Sequence, residues 1–257
     1  MTGSKNSFFM RADFDLEFLQ YCDNDDLRTL CDILMYDNKG KIRMGEGLSN
    51  TDRYIECYPY NMKGMWREIA DELQCYGGNT LFNYFRNGYG PSYESIVYDV
   101  CKRLKVPVNK HSTANEMEIN LLVALSSKAI GEMDEQQIRD IMKENGISDY
   151  AYTKAGLLAA LVAYRFANRK LFLLVINSVM RTVSAILLGR GVIIAGMVVV
   201  SRGLGVLFGP LGWILLSGWT LFDIMGPAYR VTVPAVLQVA YMRTKCESDS
   251  EHNKVSA

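Results

Sequence analysis

The side chains best suited to covalent or metal chemistry are few and scattered. Six cysteines (Cys22, Cys31, Cys57, Cys75, Cys101 and Cys246) include no CxxC pair, and His111 and His252 are the only histidines. A zinc site needs several Cys or His ligands together, and a nucleophile needs a base within hydrogen-bond reach. Either arrangement would rest almost wholly on His111, in the polar run NKHST that reads as a surface loop. The cysteines read as reduced core filler, as Cys31 does beside Leu27, Leu30 and Leu34 on one helical face, where a thiol behaves as a small hydrophobe. The beginning of the sequence lacks the basic-then-apolar pattern of a secretion signal, which fits thiols kept in a cytoplasmic compartment. The glycine pair in GGNT (residues 77–80) can offer backbone N–H groups to an anion, but it lacks the lysine and spacing of a phosphate loop and serves equally as a helix stop. Acidic residues are spread over polar faces, so spacing assigns no acid–base pair. No catalytic residue, metal, cofactor or small-molecule substrate is implied, and the chain is expected to be non-enzymatic.

The chemistry the sequence does concentrate is that of charge against lipid. Over 257 residues, 28 basic and 28 acidic side chains cancel, and 49% of residues are hydrophobic. A neutral balance argues against a nucleic-acid binder, whose phosphate contacts usually require a basic excess. The balance is uneven along the chain: residues 1–156 carry 18 basic and 24 acidic side chains, whereas residues 157–240 carry 7 basic and one acidic, Asp223. An acidic half docked on a basic half would be loosened by salt or low pH.

The elements that must position these charges are helical throughout. Phe14, Leu16, Phe18 and Leu19 suggest a short helix over Asp13–Cys22; Asp23 or Asn24 can cap a second that runs to about Tyr36. Asp37–Gly40 reads as a turn, and Ser49 with Asp52 as a capping start. Met62, Met65, Trp66, Ile69, Ala70 and Leu73 make one apolar stripe over residues 61–76. Tyr93, Val97, Val100 and Leu104 give a further helix, with Lys102, Arg103 and Lys105 in its last turn, facing solvent, acidic lipid or a partner. Thr113 with Glu116 and Asp134 with Gln137 form capping boxes for helices 114–129 and 134–145.

From about Tyr152 to Leu188 no proline intervenes, so a long helix is expected, carrying the basic residues Arg165, Arg169, Lys170 and Arg181. Such a helix can lie on an anionic membrane with its arginines snorkelling, or serve as a central core helix. Arg190 then introduces a glycine-rich hydrophobic hairpin over 190–226, turning at Gly209 and Pro210. Gly191 and Ala195, and likewise Ser201, Gly205 and Gly209, recur every four residues, a spacing that lets helix backbones approach closely in lipid. Trp213 and Trp219 suit interfacial positions. Arg202 is costly in lipid unless paired, and folding at Pro210 brings it to a depth similar to that of Asp223. Arg181 and Arg190 before the hairpin and Arg230, Arg243 and Lys245 after it favour keeping both ends cytoplasmic. A short apolar helix starting near Pro234 and a polar tail, 246–257, complete the chain. The division is therefore an accessory helical segment (9–43), an acidic helical domain (44–150), a basic hydrophobic region (151–245) and the tail, in an all-α fold.

The ordered blocks DLEFLQYC, YDNKGKIR, IADELQCYGGNT, DVCKRLKV and AYRVTVPAVLQVAYMR resemble the YaaW family of bacterial proteins over nearly the whole length. Most members of that family lack an assigned activity, and the resemblance supplies no catalytic residues. The segment from about Phe9 to Arg43 is similar to a short accessory domain of unknown function found ahead of the family's main domain. That main domain is remotely similar to ubiquinol-cytochrome c chaperones, which implies a helical assembly factor. Compared with shorter members, this chain has a more apolar hairpin. Three functions follow as expectations. One is a non-enzymatic protein on or in the bacterial inner membrane, reached from the cytoplasm, whose helical half binds a protein partner or itself while the hairpin contacts lipid. The others are a pore-forming or membrane-perturbing effector with a latent hairpin, and an assembly chaperone.

Overall fold

A computed structural model describes residues 12–37, 40–43, 46–77, 90–132, 134–136, 138–139, 153–167, 172–173, 176–177 and 228–255. The described residues are helical, with only an isolated antiparallel bridge between Tyr36 and Ile42. The fold is all-α, as expected. The hairpin 190–226 lies outside the described residues.

A 3-10 helix, Phe14–Tyr21, opens the structure, capped by the Asp13 carboxylate on the Asp15 N–H. It is followed by α1 (Asn24–Met35), whose first turn carries Asp25 and Asp26 where the helix dipole favours negative charge. The stripe of Leu27, Leu30, Cys31 and Leu34 is buried, but so is every residue from Leu27 to Met35. A helix covered on all sides is internal, and the amphipathic pattern understated how central α1 is. The turn after α1 closes through Gly40 at φ 72, a left-handed value that glycine adopts without a Cβ clash.

The short α2 (Asp52–Cys57) is capped by Thr51, whose hydroxyl accepts from the Tyr54 N–H. Ser49, the expected cap, is instead held by Glu46 through its hydroxyl and its N–H. The apolar stripe over 61–76 begins as a 3-10 turn, Met62–Met65, and continues as α3 (Trp66–Gly77). Helix α4 (Tyr93–Arg103) is capped by Ser92. Gly90 passes so close to α3 that an added Cβ would lie 2.3 Å from the Gln74 carbonyl oxygen. The capping box expected ahead of α5 (Ala114–Glu132) is present in both directions: Glu116 accepts from the Thr113 N–H at 3.0 Å and Thr113 accepts from the Glu116 N–H at 3.3 Å. Helix α6 (Lys154–Ala167) packs on α5 and forms the described start of the expected long helix.

The last helix, α7 (Tyr229–Val255), is the hub. It packs against α1, α3, α4, α5 and the first 3-10 helix. Every residue from Val231 to Met242 is buried, which accounts for the mostly apolar run VTVPAVLQVAYM, broken by Thr232 and Gln238. Two expectations are corrected here. Pro234 does not start the helix but sits inside it, and the segment from 246 continues the helix to Val255. A proline in the second turn removes one backbone bond near the helix start, a loss that tight packing offsets. Among the described residues, no helix is long and apolar enough to cross a membrane.

Candidate functional site: a charged clasp on the C-terminal helix

Asp13 stitches the beginning of the described chain to its middle. One carboxylate oxygen caps the 3-10 helix, and the other accepts from the Gln74 amide on α3 at 2.8 Å and from the Tyr93 N–H at 2.7 Å. Tyr93 is the first residue of α4, so its N–H has no helical partner and the anion fills that need. The Tyr93 ring then runs through the core, and its hydroxyl donates to Glu118 Oε1 on α5 at 2.7 Å.

Glu118, 1% exposed, is a charged group in the interior. Arg243 of α7 meets it with two donors, Nε to Oε2 at 2.6 Å and Nη2 to Oε1 at 3.3 Å. The same Nη2 donates to the Asp15 carbonyl, and the guanidinium lies 4.2 Å from the Phe18 ring centroid. Burial pushes the Glu118 carboxyl up, against the pull of Arg243 and the Tyr93 hydroxyl. Burial pulls the Arg243 guanidinium down, but the carboxylate outweighs it and the net direction is up. A planar fork that meets both carboxylate oxygens and a backbone carbonyl while stacked on an aromatic face is an arrangement lysine cannot reproduce.

Two residues on, Lys245 lies between Asp23 at 2.6 Å and Asp26 at 2.7 Å, and Asn115 donates to Glu247 at 3.0 Å. The Lys245 hydrogen bond holds Asp23 below the usual carboxylate range, whereas burial raises Asp26 despite the same partner. Beside this pair the Cys22 and Cys246 sulfurs approach to 3.3 Å. Arg243 and Lys245, counted in the sequence as flanking charges for the hairpin, are thus engaged inside the helical body.

A second cluster surrounds α3. The Glu72 carboxylate accepts the Gly47 N–H through both oxygens, at 3.1 and 3.2 Å, and Asp32 accepts from the Tyr58 hydroxyl at 3.1 Å. Burial pushes Asp32 up to about 6 and both Asp71 and Glu72 up to about 7; Glu68 adds to Asp71, and Glu46 and Asp71 add to Glu72. These groups are brought toward neutrality beside the Cys75 thiol, which burial, Glu72 and Asp71 push up to about 11. Among the described residues no group of three or more His, Cys, Asp or Glu is placed to hold a metal ion.

His111 is exposed in its loop, its N–H bound to the Asn109 side chain at 3.1 Å, and His252 lies on α7. Cys31, Cys57 and Cys101 are buried as core filler. At the basic end of α4, Arg103 lies 5.3 Å from the ring centroid of Tyr229, so this cation faces α7. Arg165 lies on α6. Gly191, Ala195, Ser201, Arg202, Gly205, Gly209, Pro210, Trp213, Trp219 and Asp223, together with Arg169, Lys170, Arg181 and Arg190, fall outside the described residues. The expected Arg202–Asp223 pair is among them. Sequence reasoning missed the clasp because Glu118 and Arg243 are 125 positions apart; an arginine inside an apolar helical run was the available signal.

A family model described as "Domain of unknown function (DUF3944)" matches residues 10–44, the segment that carries Asp13, Asp15, Phe18 and Cys22. A UPF0174 protein of Helicobacter pylori J99 is 36% identical over 95% of this chain and 96% of its own length. The UPF0174 protein YaaW of Escherichia coli K12 is 32% identical over 90% of this chain and 94% of its own. A second Helicobacter pylori protein, from strain 26695, is 32% identical over 80% of this chain and the whole of its own length. No solved structure matches the chain. With more than a third of positions shared with a relative of the same extent, the chain belongs to the YaaW (UPF0174) family of bacterial proteins.

Proposed function

We propose that this protein is a non-catalytic, membrane-associated helical protein whose clasped body positions the apolar segment 190–226 at the cytoplasmic face of the bacterial inner membrane. The observation that carries the reading is the sequence of that segment: residues 203–222 are 20 consecutive uncharged positions, bordered by arginines on one side. An uncharged, mostly apolar stretch of this length matches the hydrocarbon thickness as one span or, turned at Gly209 and Pro210, forms a hairpin that enters one leaflet. The body supports the reading through α7, which begins at Tyr229, three residues after 226. Arg243 and Lys245 hold that helix to α5, α1 and the 3-10 helix, so the segment would emerge from a fixed platform.

The test is fractionation of cells expressing the full chain, followed by alkaline carbonate extraction. Retention in the carbonate-resistant pellet is expected. Recovery in the soluble fraction would overturn the membrane reading and direct attention to a latent effector or a soluble assembly factor.

A further inference from the structure

We propose that Cys22 and Cys246 form a redox site that a hydroperoxide oxidises to a disulfide, cross-linking the first 3-10 helix to α7. The two thiols are 224 positions apart in sequence, yet their sulfurs lie 3.3 Å from each other, so a bond of about 2.05 Å needs only a small closing movement. Cys22 sits immediately after the 3-10 helix, beside Asp23; Cys246 follows Lys245 on α7. The Lys245–Asp23 ion pair therefore holds the neighbouring positions in register, and the sulfurs meet as its continuation.

The two cysteines divide the roles. Cys246 is partly exposed and within reach of a small oxidant, whereas Cys22 is 2% exposed and faces its partner. The contact between the two sulfurs lowers the pKa of Cys246 against burial and the nearby Asp23, whereas the same contact and burial raise that of Cys22. Cys246 is accordingly the attacking thiolate and Cys22 the resolving thiol. In the first step the Cys246 sulfur bonds to one peroxide oxygen, the O–O bond breaks, and the departing oxygen leaves as water or an alcohol after taking up a proton. In the second, the Cys22 sulfur bonds to the Cys246 sulfur, the S–O bond breaks, and the hydroxide leaves as water with the Cys22 proton. Two thiols lose two electrons in all, and the hydroperoxide gains them. A dithiol reverses the change by exchange.

The remaining cysteines are poor competitors. Cys31, Cys57 and Cys101 are buried away from solvent, and burial pushes the half-buried Cys75 up to about 11. The site stands independently of the membrane reading, since none of its residues belongs to the apolar segment.

The full-length protein would be treated with hydrogen peroxide, denatured, alkylated and digested with trypsin. The expected product is a dithiothreitol-sensitive species joining peptide 12–28 to peptide 246–254, formed within one chain, with Cys31, Cys57, Cys75 and Cys101 still alkylated. C246S should abolish the cross-link and leave Cys22 unoxidised. C22S should leave Cys246 as a sulfenic acid that a dimedone probe captures. Cross-linked dimers, oxidation of Cys75 ahead of the pair, or alkylation of both Cys22 and Cys246 after peroxide would each overturn the proposal.

Discussion

Removing either partner of the Glu118–Arg243 pair should destabilise the protein by amounts that differ in their pH dependence. Glu118→Leu leaves the Arg243 guanidinium, with a side chain 13% exposed, facing an apolar wall. Stranding one charge of a buried pair costs about 3–5 kcal/mol, and at this chain length each kcal/mol lowers Tm by about 2–4 °C, so a drop of about 6–20 °C is expected. Arginine cannot escape by deprotonation, so the loss persists at about pH 8; because the raised Glu118 carboxyl adds to wild-type stability at low pH, the loss relative to wild type should be somewhat larger at about pH 5. Arg243→Met strands Glu118, which can take up a proton. Its carboxyl is already raised by burial, and losing the cation raises it further. A folded-state pKa raised above the unfolded value of about 4.3 gives stability at low pH that is lost as pH rises through the folded pKa. Arg243→Met should therefore be milder at about pH 5 than at about pH 8. The double variant Glu118→Leu/Arg243→Met should recover most of the loss, since two apolar groups of similar volume leave neither charge stranded. Thermal unfolding followed by circular dichroism, with each variant referred to wild type at the same pH, is the assay. A Glu118→Leu melt within about 2 °C of wild type, or a double variant no better than the worse single one, would refute the interior electrostatics argued here.

Two further outcomes follow from the body. Asp32, raised to about 6, and Asp71 and Glu72, raised to about 7, hold protons in the folded state that the unfolded chain releases near pH 4. Their contribution favours folding at acid pH and is lost as pH rises from about 4 to about 7; urea titrations should show Glu72→Gln less sensitive to pH across that range than wild type. At Gly90 a methyl group would lie 2.3 Å from the Gln74 carbonyl oxygen, so Gly90→Ala should lower stability by about 1–3 kcal/mol through displacement of the α3–α4 contact, measured by the same unfolding assay.

Helices α1, α3 and α4 were legible because their apolar residues repeat with the period of the helix itself, and α5 because both bonds of its Thr113–Glu116 box are local. What the sequence hid is long-range. Asp13 looked like a cap and is one, but its second oxygen reaches Gln74 and Tyr93, 61 and 80 positions on, and no spacing rule links them. Cys22 read as filler because a sulfur partner 224 residues away leaves no mark on local pattern. Pro234 misled for a physical reason: proline is at home in the first turn, and only the packing of Val231 and Thr232 explains why the helix begins earlier. Burial of Leu27–Met35 in α1 and of Val231–Met242 in α7 was half visible, as an amphipathic stripe in one and a mostly apolar run in the other.

The placement of α7 at the centre sets an order of events during synthesis. Helices α1, α3, α4 and α5 leave the ribosome first, yet the surfaces they present to α7 remain open until Tyr229–Val255 has been made. The apolar stretch 203–222 is translated before that closing helix. At roughly 5–20 residues per second, the interval between the two is on the order of seconds. A core that closes on Tyr229–Val255 is therefore completed only after the stretch 203–222 has been synthesised, so folding of the helical body cannot precede translation of that stretch.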